Sequence, residues 1–277
     1  MTTDYASVSA GCPEPYLRRI AEAGFSHLHW CHQWNTDFVY AACEIEQIAA
    51  WMRELGLSLT DLHASAGAEK NWCSAREYER LAGIELVENR LDMAARLGSD
   101  VIILHIPLEP ADPAENRSYW SRLRASLDAL HAPARDHGVR IAIENLSKDN
   151  FDTLERLFSL YDAGYLGLCY DSGHGNVAGN GLDRLDRVKD RLISVHLHDN
   201  DGTGDQHKLP FEGTVDWPRL ARILAESSYG KPVSMESNTR SYEQGVDERA
   251  YLMQAFEAGV RLSEMIAARR VRPQSRG

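Results

Sequence analysis

Six short apolar runs in this chain each end on a side chain that can bind a divalent cation. They close on His63, His105, Glu144, Asp171 (with His174 three residues on), His196 and Glu236, and a polar loop adds Asp205 and His207. Imidazoles and carboxylates are the usual ligands for zinc, manganese, cobalt and magnesium. A cation so held can polarise a carbonyl or sharpen the acidity of a water. Groups scattered between positions 63 and 236 converge only if a repeated fold brings every run to the same end.

The elements that would do this recur as one phrase: an amphipathic helix, a glycine, then a short apolar strand. It reads IAEAG-FSHLHW, WMRELG-LSLTDLH, MAARLG-SDVIILH, PARDHG-VRIAIEN, LYDAG-YLGLCYD and ESSYG-KPVSMES, with glycines at 24, 56, 98, 138, 164 and 230. Glycine just past a helix end supplies the left-handed C-cap conformation. The run after it has the length and composition of a buried parallel strand. DRVKD-RLISVHLHD is a further unit without the glycine, and a first strand is expected over Tyr5 to Ala10. The count is then eight, which favours a closed (β/α)8 barrel of the TIM type. An open doubly wound sheet is the alternative, and no GxGxxG after the first strand supports it. One α/β domain is expected over residues 1–268, with a short basic tail at 269–277.

Helix starts are marked too. Ser74 and Glu77 have the spacing of a capping box. Asp216 stands as a cap before Pro218, and the last helix is expected from Glu243 to Ala268.

Strand side chains alternate between faces. Ile193, Val195 and Leu197 oppose His196 and His198; Ile141 and Ile143 oppose Ala142 and Glu144; Ile102 and Leu104 oppose Ile103 and His105; Val233 and Met235 oppose Ser234 and Glu236. The aliphatic set should meet the helices and the polar set the barrel axis. A buried carboxylate without a partner is rare, so Glu144 and Glu236 on inward phases call for a cation. A strand-end His is often only a hydrogen-bonded structural group, and that alternative stands for His63, His105, His174 and His207, as helix capping does for Asp205. His198 either faces the mouth or supports the turn at Asp199. His131 and His137 fall on a helix between strands and should be solvated. The Trp- and His-rich segment after the second strand offers His32 and Trp34 to a ring-shaped substrate, and the loop after the third offers Lys70 to an oxyanion.

The chain has 277 residues, 43% hydrophobic and 26% charged, enough to bury a sizeable core. Its net charge of −11 disfavours a nucleic-acid substrate, which usually needs a basic face. Five cysteines, an odd number without a CxxC, do not form a disulfide framework; Cys169 reads as a small core residue. The N-terminal residues lack the basic and apolar run of a signal peptide, so none is expected, and no apolar stretch has membrane-spanning length. A reducing cytoplasm is the expected compartment, and oligomeric state is left open.

The motifs IAIEN, YDSGH and HLHDNDGTGDQH, with the stretch from Gly213 to Trp217 leading to SMES, together resemble the xylose isomerase-like barrel superfamily. That superfamily includes sugar isomerases, sugar epimerases and endonuclease IV. The resemblance implies one divalent ion held by Glu144, Asp171, His196 and Glu236, with His174 contacting substrate or metal. The endonuclease branch implies three zinc ions on nine residues, His63, His105, Glu144, Asp171, His174, His196, Asp205, His207 and Glu236.

The expectation is a metal-dependent sugar or keto-sugar isomerase or epimerase working through an enediolate, with Glu144 and Glu236 moving the proton and His174 holding a substrate hydroxyl. A phosphodiester hydrolase of the endonuclease IV type and a keto-sugar or inosose lyase (dehydratase) are the alternatives. A barrel keeping a metal only for structure is a third. His63, His105, Asp205 and His207 are expected to line the same mouth and bind substrate, or at most a weaker second metal. No glycine-rich phosphate loop is present, which points to an unphosphorylated carbohydrate.

Overall fold

In the computed structural model, which describes residues 1–6, 11–64, 66–242 and 245–270, the chain curls around six parallel strands in sequence order. They are β1 (His27–Trp30), β2 (Ser58–His63), β3 (Val101–Leu104), β4 (Arg140–Glu144), β5 (Leu166–Asp171) and β6 (Leu192–His196). Two further segments close the ring. Leu197 bridges Met235 in parallel, Thr2 bridges His29, and the Thr2 amide donates to the Met235 carbonyl at 2.8 Å. Eight staves therefore surround the axis, as the repeat count requires. The first lies earlier than expected: Met1 to Thr3 pair with β1, while Tyr5 and Ala6 already turn away. The β-branched Thr2 and Thr3 are the local reason, since such residues pack well on a pleated surface. Positions 7–10 of the expected strand lie outside the described residues.

The helices form the outer ring. They are α1 (Glu14–Glu22), α2 (Ala42–Leu55), α3 (Glu77–Arg96), α4 (Pro113–His137), α5 (Phe151–Leu160), α6 (Ser172–Ala178), α7 (Gly181–Val188), α8 (Trp217–Glu226) and α9 (Glu248–Arg270). Gly56 and Gly138 end α2 and α4 in the left-handed region at φ 66°, where a Cβ would be strained. Asp216 caps α8 by accepting from the Arg219 amide at 3.0 Å. Two expected starts are corrected. Ser74 does not cap α3; its hydroxyl donates to Glu79 and accepts from the Arg76 amide, so it shapes the turn before the helix. The last helix begins at Glu248 because Asp247 accepts from the Arg249 amide at 2.9 Å. It carries Arg269 and Arg270, and 271–277 lie outside the described residues. No helix among the described residues is long and apolar enough to cross a membrane.

Alternation sorts the strands as expected. Ile102, Leu104, Ile141, Ile143, Val195 and Leu197 pack in the large core under the helices. Val101, Ile103, Ala142, Cys169 and Ile193 form a separate small cluster inside the barrel. Ile193 is the exception to its phase. The register slips there, from Leu168 opposite Leu192 to Cys169 opposite Ser194, and the bulge turns Ile193 inward. These five side chains floor the barrel beneath the polar residues. His131 and His137 are exposed on α4.

Candidate metal centre

Above that apolar floor the inward positions become polar. Glu144 ends β4, Asp171 ends β5, His196 ends β6, and Glu236 ends the stave that closes the ring. One donor atom from each lies within 4.8 Å of every other. His196 Nδ1 is 2.9 Å from Glu236 Oε2 and 3.1 Å from Glu144 Oε2. Yet neither ring nitrogen of this fully buried His has a hydrogen-bond partner. An unsatisfied buried polar group is costly, and two carboxylates pointing at an imidazole nitrogen without hydrogen-bond geometry is how ligands surround an ion. The donor set of one imidazole and three carboxylates suits a divalent cation such as zinc or manganese.

Two groups flank these four. On one side His105 Nε2 and His63 Nε2 reach Glu144 Oε2 at 3.1 and 3.5 Å. On the other, Asp205 Oδ2 meets His207 Nε2 at 3.1 Å and His174 Nε2 at 3.3 Å. His174 Nδ1 is turned to the Asn145 carbonyl. His198, which could equally have been a turn support, belongs here: its Nε2 is 3.0 Å from Asp171 Oδ2 and its ring stacks on His207 at 4.0 Å. Gly173 makes this fit, since a Cβ there would strike the His198 ring.

Trp34 sits at the mouth, 4.6 Å from the His63 ring and 5.6 Å from that of His105. His32 does not join the cluster. Its ring nitrogens are taken by the Tyr40 hydroxyl and the Gly11 carbonyl, both at 2.7 Å, in a pocket between α1 and α2. Lys70 is held by the neighbouring loop after β1, with Nζ donating to the Asp37 carbonyl. Both were expected as substrate contacts, and the structure ties both to local packing.

The loop carrying Asp205 and His207 is pinned by the buried Asp199. It accepts from the amides of Asn200, Phe211 and Val215 and from Trp217 Nε1 at 2.7 Å. A Cβ at Gly213 would collide with this carboxylate and with the Asn200 carbonyl. The loop tip is organised separately. Asp201 accepts from Thr203 and from Gln206 Nε2, and its amide donates to Gln206 Oε1. His207 (φ 49°) and Phe211 (φ 77°), both in this loop, adopt the left-handed region, and such strain commonly accompanies function.

Sequence reasoning missed a layer just beneath the cluster. His29 Nδ1 meets Asp61 Oδ1 at 2.6 Å, and the other Asp61 oxygen accepts from the Ser194 hydroxyl. All three are fully buried. Asp61 stands two positions before His63, so period-two alternation alone would have placed it inward.

The electrostatics follow the geometry. Burial opposes ionisation of Glu144 and Glu236, but His196 and its neighbours outweigh it and hold both carboxyls well below the usual range. Burial lowers His63 to about 4, leaving its imidazole neutral at pH 7. Burial also pulls on His207, but Asp205 and Glu236 prevail and lift it to about 9. A cation in the adjoining four-residue centre is repelled by that proton and favours its loss. Ion uptake should therefore release protons and weaken as the pH falls from about 8 to about 6, which a titration in weak buffer reads directly. The effect on stability has a definite sign. In the ion-free chain the raised His207 stabilises fully below its unfolded pKa of about 6.5, and this is lost as the pH rises through about 9. The rise in Tm on adding the ion should thus be larger at pH 9 than at pH 6. Equal shifts would refute this electrostatic account.

Comparison with known proteins agrees with the barrel. The Xylose isomerase-like TIM barrel family profile matches residues 17–258. An uncharacterized protein, y4fM, of Sinorhizobium fredii is 34% identical over 92% of this chain and 90% of its own. A probable endonuclease 4 of Mycobacterium leprae is 28% identical over 60% of this chain and 69% of its own. Among solved structures, a D-tagatose 3-epimerase-like protein superposes with a TM-score of 0.77 at 20% identity, covering 97% of both chains. With eight staves, a ring of helices and a family match across most of its length, the chain belongs to the xylose isomerase-like TIM barrel family.

Proposed function

We propose that this chain is a metal-dependent enzyme that isomerises or epimerises a sugar or keto-sugar. The observation that carries the reading is the pair of carboxylates, Glu144 and Glu236, that approach His196 from opposite sides of the barrel wall. A divalent ion held by these three residues and Asp171 would supply Lewis-acid polarisation of the substrate carbonyl. One Glu takes the proton from the carbon beside that carbonyl, and the electron pair moves towards oxygen to give an enediolate. The other Glu returns a proton, to the opposite face for epimerisation or to the neighbouring carbon for isomerisation. His174, anchored at Nδ1 by Asn145, offers Nε2 to a substrate hydroxyl. Trp34 offers an aromatic face at the mouth. An apolar floor of Val101, Ile103, Ala142, Cys169 and Ile193 closes the barrel below the site.

The test is a screen of unphosphorylated ketopentoses and ketohexoses in deuterated water with ion-loaded protein. Deuterium should appear at the carbon next to the carbonyl, together with the epimer or isomer. A complete absence of exchange with every keto-sugar would sink the reading.

A second reading, phosphodiester hydrolysis, is favoured by one observation: all nine residues of a three-ion pattern gather in adjoining groups around Glu144, Asp171 and Asp205. The similarity to the mycobacterial endonuclease 4 points the same way. The net charge of −11 argues against tight binding to a phosphate backbone. His207→Ala separates the two. Under the isomerase reading it weakens substrate use and leaves the number of bound ions unchanged. Loss of one ion from a wild type holding three, with incision of abasic duplex DNA at low salt, would establish hydrolysis instead.

A further inference from the structure

We propose a second, sulfur-containing cation site beneath the mouth, formed by Cys31, His29 and the Oε1 atom of Glu236. It goes beyond the function proposed above and does not depend on it.

The site follows from the end of β1. His29 and Cys31 are two residues apart on an extended backbone, so both side chains point to the barrel axis. His29 is fully buried and Cys31 is 2% exposed. Cys31 Sγ lies 2.8 Å from His29 Nε2 and 3.7 Å from Glu236 Oε1, and His29 Nε2 lies 3.6 Å from the same Oε1. The two oxygens of Glu236 serve different neighbours: Oε2 faces His196, and Oε1 faces this pair. Glu236 would therefore bridge two ions, one in each group.

A second observation independently marks His29 as a ligand. Its Nδ1 is committed to the buried Asp61, whose other oxygen is committed to Ser194. That leaves Nε2 as the nitrogen turned towards Cys31 and Glu236, 2.8 Å from the Cys31 sulfur. A carboxylate on the far nitrogen is the usual support of a metal-bound histidine. His29, His196 and Glu236 also bring one donor each within 4.8 Å of one another.

The donor set decides what it would take. One sulfur, one imidazole nitrogen and one carboxylate oxygen, with a fourth position left for water, suit zinc, cobalt(II) or copper(I) and not magnesium or calcium. Tetrahedral ligands at zinc distances stand about 3.5 Å apart, so the Cys31 side chain has to swing outward by roughly 0.7 Å. Cys31 lies just past the strand end, where that rotation is local.

The test uses the full chain loaded with excess cobalt(II). A near-ultraviolet sulfur-to-cobalt charge-transfer band is expected in the wild type. Cys31→Ser should lose the band and one bound ion, with its far-ultraviolet circular dichroism unchanged. His29→Asn, which keeps the thiol, should weaken the band, and it carries the test should Cys31→Ser not fold. Cadmium-113 resonance of the wild-type protein gives a reading free of substitutions: one signal should lie in the thiolate-shifted range. Glu144→Gln should disturb the ion of the four-residue centre and leave the band in place, so failure of that centre is distinguishable from failure of this site. A wild type without the band, or a Cys31→Ser protein that keeps it and the full ion count, would overturn the proposal. Cys31, His29 and Asp61 would then be a hydrogen-bonded chain that only orients Glu236.

Discussion

Glu144→Gln and Glu236→Gln should each abolish measurable net conversion of a keto-sugar. Loss of a positioned acid or base costs about 10²–10⁴-fold in rate, and each substitution also removes a charge from the cation's shell. The two effects can be separated. Elemental analysis at saturating ion reports whether the ion is retained, and deuterium incorporation reports whether the carbon–hydrogen bond still breaks. If Glu236 supplies only one of the two proton transfers, Glu236→Gln should lose net conversion from both directions but retain slow exchange from the direction in which Glu144 is the base. Glu144→Gln should show the mirror image. Either variant keeping turnover within tenfold of the wild type would remove the paired-carboxylate mechanism.

The second large effect should be on stability. Asp61→Ala leaves His29 facing an empty space in a fully buried layer. Burial presses Asp61 towards its neutral form, but His29, then His196 and Ser194, outweigh it and hold the carboxyl below its usual range; burial likewise opposes a charge on His29, yet Cys31 and Asp61 hold its pKa well above the usual value. Removing one partner of a buried pair costs about 3–5 kcal/mol, because the other charge stays behind without compensation. For a chain of this size that corresponds to a fall in Tm of roughly 6–20 °C. Asp61→Asn keeps an acceptor for the imidazole and a partner for the Ser194 hydroxyl, so its loss should be smaller. A thermal melt in which Asp61→Ala lies within about 2 °C of the wild type would show that the pair is not holding the barrel interior together.

The strands and their order were legible because two signals agreed before β1, β2, β3 and β4, at Gly24, Gly56, Gly98 and Gly138. A glycine stopped the preceding helix, and an apolar run of strand length followed it, as at Gly138 before β4. Strand-end residues were legible because alternation assigns a face: Ile141 and Ile143 outward, Ala142 and Glu144 inward. What failed lacked a periodic signal. The first stave is only three residues long, so its register comes from pairing with His29 and Met235, both distant in sequence. Ile193 changed face because a bulge broke the period. His32 and Lys70 looked like mouth residues by composition, but loop direction, not residue type, decides where they point, and Tyr40 and Asp37 set it. His29 and Asp61 were overlooked although alternation reaches them, because neither ends its strand.

Asp199 divides the loop after β6 into two mechanically separate parts. Its four accepted hydrogen bonds secure the base of the loop and, with Gly213, the return of the chain to α8. The tip from Asp201 to Thr203 is held by the side chains of Asp201 and Gln206, while Asp205 reaches down to His174 and His207. A change in the length or sequence of the tip therefore need not re-aim His207, whose Nδ1 is fixed by the Glu236 carbonyl at 2.7 Å. The rim can be rewritten for a new ligand while the chemistry below it stays in register, which makes this stretch a natural place for substrate preference to diverge.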